Sequence, residues 1–168
     1  MVKITKLAGA LAVTAAAAIV SGPTAQADVP ALTTPFLDPG CLCAGLLPAQ
    51  PIDMNLSVVP GMTTALERVA VVPDGVEWIM YAHVTPNYRV TWDQEIAVAV
   101  DRLGPDAVRP GTFRGYPSMT MDMEKNGRMS RQLVFRAGDR AFWLGVIPAD
   151  WSDAQSDLDA LTSTFQFL

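Results

Sequence analysis

Residues 115–168 constrain the fold more than any other stretch of this 168-residue chain. Met119, Met121 and Met123 alternate with Ser118, Thr120 and Asp122, the period of a strand with one face buried. Lys125-Asn126-Gly127 then supplies a hairpin turn, because Asn and Gly tolerate positive φ better than other residues. A return strand over 128–135, a turn at Ala137-Gly138-Asp139 and a third strand over 140–147 make an antiparallel meander. After Pro148, Ser152 and Gln155 have the spacing of a capping box, and Ala154, Leu158, Leu161 and Phe165 fall on one helical face. Such a face must be buried, so the stretch predicts a sheet with a C-terminal helix laid across it.

Upstream the pattern is strand-like as far as residue 84. Ile52, Met54, Leu56 and Val58 alternate with polar residues up to Pro60-Gly61. Apolar runs over 68–72 and 76–84 flank the turn residues Pro73-Asp74-Gly75. Residues 91–103 fit two templates. Trp92, Ile96, Ala99 and Leu103 mark a helical face behind a possible Thr91/Gln94 capping box, yet Ile96, Val98 and Val100 alternate as in a buried strand. Pro105 suits the start of a short helix that Pro110-Gly111 must stop. Together these elements predict one α+β domain over 52–168. Its antiparallel β-sheet has about five or six strands, with the C-terminal helix and one shorter helix packed on it.

Residues 28–51 read differently, because Pro30, Pro35, Pro39, Pro48 and Pro51 each fix φ and remove a backbone donor. They predict a proline-rich extended arm that is no regular helix or central strand. Phe36, Leu37, Leu42, Leu46 and Leu47 make it too apolar for a free linker. It is expected to lie along the domain or to meet a partner.

The first 27 residues have the layout of a signal peptide: Lys3 and Lys6, an apolar run over 7–20, then small residues at Ala25 and Ala27. The run stops at Gly22-Pro23, short of the roughly 20 apolar residues that span a bilayer. No membrane span is expected. Removing residues 1–27 leaves 141 residues and takes the formal charge from −5 to −7. An acidic chain without a run of Lys and Arg is a poor match for nucleic acid or an anionic lipid surface. In an exported protein, Cys41 and Cys43 in GCLCAG point to a local disulfide or to a bond with another chain. A metal site is the weaker option, since no third Cys or His is near to complete a shell. Neither cysteine directly follows the apolar run, so no lipid anchor is expected and the protein reads as secreted, extracellular or associated with the cell wall.

Catalytic signals are absent from the pattern. His83, the only histidine, sits inside a strand-like run, and no serine has the G-x-S-x-G elbow. Asp150, Asp153, Asp157 and Asp159 lack the ligand spacing of a calcium loop, and acids early in a helix are favoured by its dipole anyway. No catalytic, cofactor-binding or metal-ligating residue is assigned, and no cofactor is expected. Met119, Met121 and Met123, with Met129, either pack in the core or border a flexible apolar pocket; soft copper is a further option. A non-enzymatic protein that binds a protein partner is the first expectation, and a carrier for a small apolar envelope molecule the alternative.

Gly115-Tyr116-Pro117-Ser118, the strand pair around Asn126-Gly127, Phe142-Trp143-Leu144 and the final helix leading to Ser163-Thr164-Phe165 resemble the LpqN-type exported proteins of mycobacteria and related actinobacteria. That group looks like a branch of the PsbP-like α/β fold. The resemblance covers about the last 90 residues, more weakly toward Trp78. It implies an antiparallel sheet with helices packed on it, favours a strand at 95–101, and implies residence in the cell envelope with a role in binding proteins or apolar ligands. Two features depart from the pattern: the missing lipid-anchor cysteine, and a helix around residues 105–108 that looks shortened.

Overall fold

The computed structural model describes residues 31–53, 63–71, 75–84, 89–125 and 127–168. The expected signal peptide, the alternating residues 54–58 and Asn126 lie outside them.

Among the described residues ten strands and two α-helices follow one another in the order β1 (Thr34–Asp38), β2 (Cys43–Leu47), β3 (Ile52–Asp53), β4 (Thr63–Val71), β5 (Glu77–Val84), α1 (Trp92–Leu103), β6 (Val108–Phe113), β7 (Tyr116–Lys125), β8 (Arg128–Ala137), β9 (Arg140–Ile147), α2 (Ala154–Thr164) and β10 (Gln166–Phe167). Seven strands form one antiparallel sheet in the order β3-β4-β5-β9-β8-β7-β6. A smaller sheet has the order β1-β2-β10. The architecture is α+β, and the meander over β7, β8 and β9 has the strands and turns that the alternation marks. Gly127 and Gly138 sit at φ of +77° and +64° in its two turns, a conformation that costs glycine nothing.

The large sheet is two meanders joined in the middle, where β5 pairs with β9. The chain leaves β5 at the centre and re-enters at the edge strand β6, so the connection must cross one face of the sheet. That connection is α1. The resemblance favours a strand at 95–101, and the structure corrects it: the segment is helical. Local chemistry favours the helix. Thr91 Oγ1 accepts from the Gln94 backbone N–H at 3.3 Å and the Gln94 side chain accepts from Thr91 N–H at 2.9 Å, closing the capping box. Asp93 and Glu95 lie in the first turn and Arg102 in the last, as the dipole favours. Gly104, at φ +90°, ends the helix ahead of Pro105. Of the alternating residues, Val98 is 57% exposed, which a strand buried on both sides would not allow.

Three further expectations need correction. The described part of the arm, residues 31–51, does not stay out of regular structure: β1 and β2 form a hairpin, and β2 is the central strand of the small sheet. The prolines permit this because Pro35 lies on edge strand β1, while Pro39 and Pro48 fall outside the strands. The short helix at Pro105 is a single 3-10 turn, Pro105–Ala107, and Pro110-Gly111 lie inside β6, which tolerates proline as an edge strand. The second helix packed on the sheet is α1, on the face opposite α2. Finally, no Ser152/Gln155 capping box forms. Asp150 Oδ1 accepts from Ser152 N–H and Oγ–H, each at 2.9 Å, and a 3-10 turn at Trp151–Asp153 leads into α2.

The main core lies between the large sheet on one side and α2 with the small sheet on the other. Phe135 and Phe142 stack at 5.0 Å between ring centroids, and Phe165 meets them edge-on at 5.7 and 5.6 Å. Ala154, Leu158, Leu161 and Phe165 are buried, the face that the helical spacing marks. Leu47, Phe36 and the disulfide-linked Cys41 and Cys43 close the same core from the small sheet. Thr164 stitches the two together, its Oγ1 accepting from Leu46 N–H at 3.1 Å.

Candidate functional site

Strand alternation gives the large sheet a second apolar face, opposite the aromatic core. In register across it, Met119 stands beside Val134 and Val134 beside Trp143, and Val108 stands beside Met121. Helix α1 covers this face with Trp92, Ile96, Ala99, Val100 and Leu103. The coverage is incomplete. A cavity of about 400 Å³ remains between helix and sheet, floored by Met119, Met121, Met123, Val134 and Trp143. Its helical wall is Val98, Ala99 and Leu103. Val98 is largely exposed although it lines the cavity, so the space opens to solvent.

The three methionines singled out by their alternation therefore meet at one place. Met129 does not join them: it sits near the β7–β8 turn opposite Glu124 and is 42% exposed. The cavity's helical wall carries no comparable sequence signal, because only the crossover from β5 to β6 brings α1 over β7. Thioether side chains suit such a floor, being unbranched, polarizable and able to change shape around a guest.

Charged groups stand at the rim. Glu95 and Arg136 form an ion pair that joins α1 to β8, and Arg136 Nη1 also donates to the Val90 carbonyl at 3.0 Å. Both side chains are largely covered, at 16% and 21% exposure, so the pair fixes where the first turn of α1 sits against the sheet. Arg102 and Asp139 complete the rim.

Other candidate groups are engaged elsewhere. On the aromatic side of the sheet, Asp122 receives two arginine forks, from Arg109 at 2.8 and 2.9 Å and from Arg131 at 2.8 and 2.9 Å. Burial pushes the Asp122 carboxyl up, but the hydrogen bonds and charges of Arg131 and Arg109 outweigh it and hold the group below its ordinary value. Arg131 in turn stacks over Trp151 at 4.8 Å and donates to Gln155 at 3.2 Å, tying β7 and β8 to the start of α2. Asp150 is also held below the usual carboxylate range, by the Ser152 backbone N–H and then its hydroxyl. These are structural clasps whose donors and acceptors are already used.

His83 lies in β5 opposite Thr64 and Ala141; its side chain is outside the described residues. Ser118 and Ser130 are buried, and Ser130 Oγ accepts from Gln132. Cys41 and Cys43 form a disulfide with 5.3 Å between Cα atoms, wholly buried in the main core, so neither sulfur is presented to solvent. Among the described residues no group of three or more His, Cys, Asp or Glu side chains is placed to hold a metal ion. Nor is any helix among them long and apolar enough to cross a membrane.

No family model matches the chain, and no curated protein sequence does. Solved structures do resemble it. The fold is shared with the PsbP protein of the cyanobacterium Synechocystis sp. PCC 6803 (CyanoP), at a TM-score of 0.58 and 12% identity over 88% of this chain and 99% of that one. A protein of Bacteroides thetaiotaomicron aligns at a TM-score of 0.49 and 12% identity over 82% of this chain. This chain spans about half of that protein, 49% of its length. The fold is thus PsbP-like, and at 12% identity that likeness extends to the fold alone.

Proposed function

We propose that the protein is a non-enzymatic carrier that binds a small apolar molecule in the cavity between α1 and the sheet. One observation carries the reading: about 400 Å³ of space, open to solvent and floored by three methionines, within the roughly 300–1,000 Å³ range of small-molecule sites. A face meant only for packing would be filled, since interiors reach crystal-like density and voids are costly. The LpqN-type resemblance at residues 115–168 points the same way, toward a binding role in an actinobacterial cell envelope. In this reading residues 1–27 are a removed leader, and the intact mass of the exported protein begins at Asp28. Native mass spectrometry of the exported protein tests the function: a co-purifying small apolar molecule is expected, and it should disappear when Met121→Trp fills the floor. A bare mass in both proteins, with no uptake of added apolar ligands, would sink the proposal.

A second reading, docking of a protein partner on the proline-rich segment, is favoured by Leu37 and Leu42, which are 69% and 42% exposed on and beside β1. Leu37→Asp should abolish a discrete complex without disturbing the cavity. Unchanged complex formation in that variant would exclude this surface.

A further inference from the structure

We propose that the cavity's ligand is a single-chain amphiphile ending in a carboxylate, held at its head by Arg102; the inference rests on the ligand-binding reading above and specifies its substrate class. Volume limits the chain. A water-sized group takes up about 30 Å³ of liquid, so about 400 Å³ accommodates roughly a dozen such groups. The space matches one chain of medium length.

Charge at the rim selects the head group. Glu95 and Arg136 neutralise each other, and Asp139 faces Arg140 at 3.7 Å. Arg102 lines the same opening and has no hydrogen bond or ion pair among the described residues, leaving the spare charge at the rim positive. The last turn of a helix favours a cation in any case, which accounts for an arginine at this position but not for its place on the cavity lining. A guanidinium presents paired N–H donors that match the two oxygens of a carboxylate. A phosphate dianion is a poorer match, because one free arginine would leave its second charge without a partner at the rim. The bound molecule thus has its chain over the methionines and its carboxylate at the helix C-terminal end of the opening.

The test compares dodecanoate, dodecanol and dodecylamine, each titrated calorimetrically into the full chain at neutral pH below its aggregation threshold. Dodecanoate is expected to bind about three- to tenfold more tightly than dodecanol, as for one partly exposed charged pair, and dodecylamine more weakly than either. Arg102→Gln should lower dodecanoate to the level of dodecanol and leave dodecanol unchanged, while Arg102→Lys restores most of the preference. Equal affinity for dodecanoate and dodecanol, or a preference that survives Arg102→Gln, would overturn the head-group assignment and leave the carrier reading standing. Binding of none of the three would overturn both.

Discussion

The two faces of the seven-stranded sheet are built from the same strands, one residue out of phase, and they have opposite characters. On one, Phe135, Phe142, Leu144 and Val146 meet α2 and the disulfide-bearing hairpin, and all four are fully buried. On the other, Met119, Met121, Val134 and Trp143 meet α1 alone, and space remains. The difference lies in what covers each face. Aromatic rings clamped between two layers fill their volume, whereas a single amphipathic helix, held at its first turn by Glu95 and Arg136, leaves flexible thioethers under an open mouth. One face is a filled core, and the other keeps an open cavity.

Truncation should break this symmetry most sharply. Phe135→Ala, in the stacked cluster, is expected to cost about 3–5 kcal/mol in denaturant unfolding, and Leu161→Ala about 2–5 kcal/mol. Met123→Ala, half-buried at the cavity floor, should cost well under 2 kcal/mol, since it enlarges a space that already exists. Equal losses at Phe135 and Met123 would erase the contrast.

The hairpin that caps the closed face provides the next test. Replacing Cys41 and Cys43 together by alanine should cost about 1–2 kcal/mol, because so short a loop constrains the unfolded chain only modestly. Ligand uptake should be unaffected. A loss of binding at unchanged fold would mean that the two faces are coupled.

Filling the open face is the converse experiment. Met121→Trp should remove ligand uptake while changing stability by less than about 2 kcal/mol, since the added volume enters existing space. A large destabilisation would show that the space is not available to a guest.

The smallest effect concerns pH. Asp122 has a carboxyl pKa lowered in the folded state, so its contribution is fully present above its unfolded value of about 3.9 and is lost as pH falls through the lower folded value. Asp122→Asn should therefore be less stable than the parent at pH 6–7, with the gap closing in acid below about pH 4. Urea titrations across that range check the sign. A gap that widened in acid would contradict the clasp by Arg109 and Arg131.

What could be read in advance followed short-range chemistry. The meander over β7, β8 and β9 was legible because alternation and turn glycines act within a few residues. The buried face of α2 was legible for the same reason, at a different period. Helix α1 was half legible: its capping box and its alternation competed, and the crossover from β5 to β6 resolved them. The methionines could be grouped on one face, but not set under α1, since the helix precedes them in the chain and reaches that face only through the crossover. Nor did any local pattern show that residues 34–47 pair with Gln166 and Phe167.

By itself the sequence determined the alternation of β7, the turns around Gly127 and Gly138 and the apolar face of α2, because these depend on neighbours within one or two turns of chain. Only the tertiary structure decided which strands adjoin, that a proline-rich segment closes the aromatic core, and that a gap is left beneath α1. Those outcomes depend on contacts between residues far apart in the chain, where packing volume and register, rather than local propensity, set the lowest free energy.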